Sequence, residues 1–98
     1  MDHHRLFIGG ELVDARDGGR FETVDPGTGQ PLGTVAAAGE VEVGQAVEAA
    51  RRAFDSGQWS GLDPAERGAR VMELADLIQA HISELALIEA LDSGGVVA

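Results

Sequence analysis

Over the first third of the chain the apolar positions come in short bursts: Leu6 to Ile8, Leu12 and Val13, Phe21 to Val24, and Leu32 to Val35. Turn residues separate them. Leu6 to Ile8 and Glu11 to Val13 flank Gly9-Gly10, a pair that tolerates positive φ at both central positions of a two-residue turn, and together they predict a β-hairpin. After Asp14 to Gly19, Phe21 to Val24 predicts a further strand. It stops at Asp25-Pro26-Gly27, where proline fixes φ and glycine completes a turn. Leu32 to Val35 predicts a weaker fourth strand. From Glu40 the period lengthens from about two to about 3.6 residues, and Val43, Val47, Ala50 and Phe54 fall on one helical face. Glu40 and Glu42 sit where the helix dipole favours carboxylates, and Asp55-Ser56-Gly57 supplies a glycine stop.

The next start is more explicit. Asp63-Pro64-Ala65-Glu66 reads as an N-cap acid, a proline at the first helical position and a capping-box glutamate. Val71, Leu74, Ala75, Ile78, Ile82 and Leu85 continue at helical spacing opposite Glu73, Asp76 and Gln79. Glu89 and Asp92 fall on the other side of that stripe, so the register rotates between about His81 and Glu84. Two helices joined by a kink are predicted. Leu77, Leu87, Ile88 and Leu91 add apolar surface on further faces, more than one small hairpin layer needs, so this part of the chain expects another partner. Gly57 to Leu62 is a short linker.

The pattern therefore divides at about residue 39, with a strand-rich hairpin segment at 1–38 and a helical segment at 39–98. The fold class is α+β: an N-terminal hairpin and short strands, then three α-helices. A mass of 10.2 kDa allows one small domain, and a compact chain of that size would expose about 5,300 Å². With 44% hydrophobic residues the chain reads as packed, not disordered.

Charge narrows the function. The net charge is −10, with 17 acidic residues against 7 arginines and no lysine. Such a surface repels phosphate backbones and anionic headgroups, so neither nucleic acid nor membrane is expected as a partner. Without lysine there is no Schiff base and no phosphate-cradling lysine of a Walker loop. Without cysteine there are no disulfides, thiolate metal sites or thiol nucleophiles, which fits a cytoplasmic protein. No run reaches the ~20 apolar residues that span a bilayer.

Individual candidates for chemistry are weak. Gly27, Gly29 and Gly33 look like a dinucleotide loop, but the third glycine is one place late and a strand follows, so ordinary turns are expected. His3-His4 reads as a solvated tail and His81 as a surface or capping residue. Trp59 reads as an anchor packing the linker onto the core. Asp92-Ser93 has the Asp-Ser pair of carrier proteins, but it follows the last helix where theirs opens one. Ser56, Ser60 and Ser83 assemble no catalytic arrangement. No catalytic or cofactor-binding residue is assigned.

The order of motifs says more than any one of them. Phe7-Ile8-Gly9-Gly10-Glu11, Phe21-Glu22-Thr23-Val24-Asp25-Pro26-Gly27-Thr28-Gly29, Ala46-Val47 through Ala53-Phe54, Trp59, Asp63-Pro64-Ala65-Glu66-Arg67 and Leu74-Ala75-Asp76-Leu77-Ile78 together resemble the N-terminal region of the aldehyde dehydrogenase superfamily, from about Leu6 to Gly94. The resemblance implies a parent of α/β fold with a Rossmann-like NAD domain. It implies oxidation of an aldehyde to a carboxylic acid with NAD or NADP: a cysteine thiolate attacks the aldehyde, hydride passes to the nicotinamide, and a glutamate activates water. Family members carry the cysteine, glutamate, cofactor lysine and nucleotide glycines beyond the region that these residues match, so none maps here and no cofactor is expected on this chain alone.

The resemblance implies one site that does map, a structural monovalent cation held by oxygens of Thr23, Val24 and Asp92, hard ligands suited to such an ion. Many relatives have lysine after the glycine matching Gly94, whereas this chain has Gly95. The expected role is structural, with partners in the remainder of an aldehyde dehydrogenase chain or another subunit of a homo-oligomer. The rival is a stand-alone acidic interaction module or adaptor derived from this region.

Overall fold

Gly9 and Gly10 set the first turn. Both have positive φ, 60° and 84°, which matches the right-handed twist of the strands they join. In the computed structural model, which describes residues 2–95, they connect β2 (Leu6–Ile8) to β3 (Glu11–Val13). The pair forms a two-stranded antiparallel sheet in which Leu6 faces Val13 and Ile8 faces Glu11.

A second sheet has the order β1-β5-β4. Strand β4 (Arg20–Val24) runs antiparallel to β5 (Pro31–Ala36). Their turn is built by Asp25, whose carboxylate accepts from the Gly27 N–H at 2.8 Å while its carbonyl accepts from the Gly29 N–H at 2.7 Å. This is the side-chain turn that short acidic residues favour. The pairing slips between Thr23 and Val24. Strand β1 (Asp2–His4) lies parallel to the other side of β5, with His3 opposite Thr34. The sequence pattern does not predict β1, because its residues carry no apolar alternation, and its partner lies 31 positions away.

Helix α1 (Glu40–Ser56) follows the sheet. Its start is closed by Glu42, whose carboxylate accepts from the Gly39 N–H at 3.0 Å and which is buried, 4% exposed. Helix α2 (Pro64–Ala80) begins at the expected proline, and the Asp63 carboxylate accepts from the Ala65 N–H at 3.2 Å. Among the described residues Glu66 returns no bond to Asp63. The reciprocal half of a capping box is formed at α1 instead. His81 ends α2 and opens α3 (Ile82–Ser93), so the rotation of the apolar stripe is a break between two helices. Three helices after short strands is the predicted architecture.

The whole measures 47 × 39 × 15 Å. Its shortest dimension is about a third of its longest, so the molecule is a thin plate. Its radius of gyration is 17.1 Å, against about 13 Å for a compact chain of this length. Its accessible surface is 7569 Å², well above the ~5,300 Å² of a compact globule of this mass. Among the described residues the buried apolar side chains are Ala15 and Ala36; the hydrophobic effect has little to act on inside.

Candidate functional site

Much of the helical surface is apolar and open. On α1, Val43, Val47 and Phe54 share the predicted face and all three lie exposed. The hairpin rests beside that face, where Ala50, one of its predicted members, joins Ala46, Ala49 and Ala53 in flooring a groove of about 470 Å³ beneath Phe7 to Gly10. Alanine lets the backbones approach: a Cβ placed on Gly9 would lie 3.9 Å from that of Ala49. The larger side chains are left free for a neighbour. Arg51 covers part of Phe54, its guanidinium carbon 5.9 Å from the ring centre, within cation–π range.

Helices α2 and α3 continue the open surface. Val71, Leu74 and Ile78 on α2 and Ile82, Leu85 and Leu91 on α3 are all exposed. Apolar residues occur around the whole circumference of α3, the pattern of a helix enclosed on every side. Among the described residues, no helix is long and apolar enough to cross a membrane. Apolar surface on this scale is more than an isolated small domain usually exposes.

The linker between α1 and α2 is secured differently from the sequence expectation. Trp59 is half exposed and does not pack as an anchor. Arg67 does that work: its Nη1 donates to the carbonyls of Ser60 and Leu62. The Ser60 hydroxyl in turn donates to the Phe54 carbonyl at 3.1 Å. A guanidinium one turn into the next helix, reaching back over the linker, leaves no periodic signal.

Gly27 and Gly29 lie in the β4–β5 turn and Gly33 within β5, so the three do not cradle a nucleotide. His81 is exposed at the helix junction, with Nδ1 3.6 Å from Glu84. Ser93 donates to the Glu89 carbonyl at 2.6 Å, closing its own helix. Among the described residues no three His, Asp or Glu side chains gather as a metal cluster.

His3 corrects the sequence reading of a solvated tail. It is part of β1, and one ring nitrogen, Nδ1, lies 2.8 Å from the Thr34 hydroxyl. The other, Nε2, lies 2.6 Å from the Asp14 carboxylate. That hydrogen bond holds the Asp14 carboxyl below its ordinary value against the opposing effect of desolvation, and the charges of His3, Arg20 and Arg5 add to it.

Thr23, Val24 and Asp92 occupy neighbouring segments. A Cβ on Gly94, two residues after Asp92, would come within 3.0 Å of Pro26, two residues after Val24. The end of α3 thus lies against the β4–β5 turn, beside the slip in the ladder.

The profile of the Aldehyde dehydrogenase family matches residues 12–98. The chain belongs to the aldehyde dehydrogenase family. It is 48% identical over 91 residues to the NADP/NAD-dependent aldehyde dehydrogenase PuuC of Escherichia coli (strain K12), covering 93% of this chain and 18% of that relative. To the aminoacetaldehyde dehydrogenase of Pseudomonas aeruginosa it is 48% identical over 90 residues, 92% of this chain and 18% of that one. Among solved aldehyde dehydrogenases, the NAD+ complex from Bacillus cereus superposes with a TM-score of 0.86 at 46% identity, over 93% of this chain and 18% of that chain. The NAD-dependent enzyme from Sinorhizobium meliloti gives 0.85 at 42%, over 92% and 18%. The chain therefore spans under a fifth of the length of these relatives.

Proposed function

We propose that this chain is the N-terminal part of an NAD(P)-dependent aldehyde dehydrogenase that oxidises an aldehyde to a carboxylic acid. Its own share of the work is structural: it forms an outer piece whose open helix faces rest on the nucleotide-binding and catalytic remainder, or on another subunit. The observation that carries this is the conjunction of family membership with a plate 15 Å deep whose large apolar side chains lie uncovered. NAD or NADP accepts the hydride in that chemistry. The chain has neither cysteine nor lysine, so in this reading the nucleophile and the cofactor lysine belong to the remainder. The same reading assigns Thr23 and Val24, at the slip in the β4–β5 ladder, and Asp92, from the adjoining helix end, to a structural monovalent cation that ties strand to helix.

Complementation tests the proposal. The pure 98-residue chain should form no NADH from aldehyde and NAD. Mixed or co-expressed with a PuuC polypeptide lacking its matching 91 residues, it should restore aldehyde-dependent NADH formation. NADH from the chain alone would refute the structural role. Binding to intact PuuC without restoring the truncated one would favour the stand-alone interaction module.

A further inference from the structure

Strand β1 is three residues long and pairs in parallel with one neighbour. So short a parallel edge strand has little backbone bonding to hold it. A single residue, Arg5, joins it to β2, so wherever β1 goes the entry of the hairpin goes too. The exit of the hairpin, after Val13, is Asp14.

We propose that His3 is a clasp: its imidazole ties β1 to β5 through Thr34 and, through Asp14, draws the two ends of the hairpin together, joining the two sheets and fixing how the hairpin lies on α1. The imidazole suits this because it has two nitrogens on opposite edges. The Asp14 carboxylate only accepts, so Nε2 carries a hydrogen and donates to it. In the neutral ring Nδ1 then accepts from the Thr34 hydroxyl. In the charged ring Nδ1–H donates to the same oxygen after the hydroxyl turns. Both bonds therefore survive protonation. The residues lie 11 and 31 positions from His3 in the chain, so this is a tertiary fastening, distinct from any turn.

An independent feature prepares the same docking. Gly33 faces Asp2 across the ladder, and a Cβ there would lie 2.6 Å from the Asp2 carbonyl oxygen. Only glycine leaves room for β1 to approach. A strand admitted by a notch and held by a side chain is a built device.

Amide hydrogen exchange on the chain assembled with the truncated relative of the complementation experiment, where its open faces are covered, read segment by segment, tests it. In the unsubstituted chain residues 2–4 should exchange slowly. His3→Ala should make them exchange about tenfold faster, the scale of a lost pair of hydrogen bonds. The β4–β5 turn and α1 should keep their rates. Gly33→Ala should release the same residues without touching the imidazole, and Asp14→Asn should act in the same direction more weakly, because the amide still accepts. Free exchange of residues 2–4 in the unsubstituted chain, no change in His3→Ala, or acceleration spread equally over the sheet and helices would overturn the clasp. None of these outcomes depends on dehydrogenase activity.

Discussion

Glu42 is buried among the described residues, and a buried carboxylate needs a partner. It has the Gly39 N–H, one of the donors that a helix start leaves unsatisfied, and it stands where the helix dipole favours negative charge. Glu42→Ala should therefore loosen the first turn of α1 by about 1 kcal/mol. That should appear as roughly fivefold faster amide exchange at residues 40–43 with the middle of the helix unchanged. Asp14 gives a pH-dependent counterpart. Its carboxyl is held low in the folded chain, so its contribution is present above the unfolded value of 3.8 and disappears as pH falls through the lower folded value. The groups facing it are His3 on β1, Arg5 at the hairpin entry and Arg20 on β4. Protection of residues 2–4 should weaken, toward the level of Asp14→Asn, as pH falls from 3.8 through the lower folded value, and Asp14→Asn should remove that acid step.

At the scale of elements, what could be read in advance was whatever local chemistry dictates. Gly9-Gly10 specifies a hairpin, Asp63-Pro64 a helix start and the rotated stripe near His81 a break, and all three stand where the pattern puts them. Features that depend on distant residues were not legible. Strand β1 exists because β5 offers a notch at Gly33. Periodicity places Val43, Val47 and Phe54 on one face but cannot say that the hairpin rests on the alanines beside them. The linker is the same case, with Trp59 the obvious anchor by size and Arg67 the actual one by hydrogen bonding. Arg67→Ala should free the segment it straps. The Gly61 and Leu62 amides, bonded to the Gly57 and Trp59 carbonyls at 2.8 and 3.1 Å, should exchange faster by about tenfold. Arg67→Lys should rescue only in part, because a point charge does not reproduce the guanidinium fork.

For the whole molecule the controlling fact is the ratio of surface to interior. Two alanines cannot supply the apolar burial that offsets the conformational entropy of ordering about a hundred residues. Alone in solution the chain should self-associate or melt without a sharp transition, as light scattering and calorimetry would show. Leu74→Glu with Ile88→Glu should lower the association without reducing helical circular dichroism, because both side chains lie on open faces. The same pair should abolish complementation of a truncated relative, where those faces must be covered. A monomer that melts cooperatively at low concentration would show the plate to be self-sufficient.

The wet faces of α2 and α3 also set a timetable for synthesis. A match of 91 residues that is 18% of a relative gives that relative about 500 residues; in a polypeptide of that length, as the proposed function has it, some 400 would still be awaiting translation when this portion is made. At about 5–20 residues per second that delay is on the order of tens of seconds. Under the proposed function, these leucines and isoleucines would stay uncovered throughout that interval, when exposed apolar surface is most prone to aggregate.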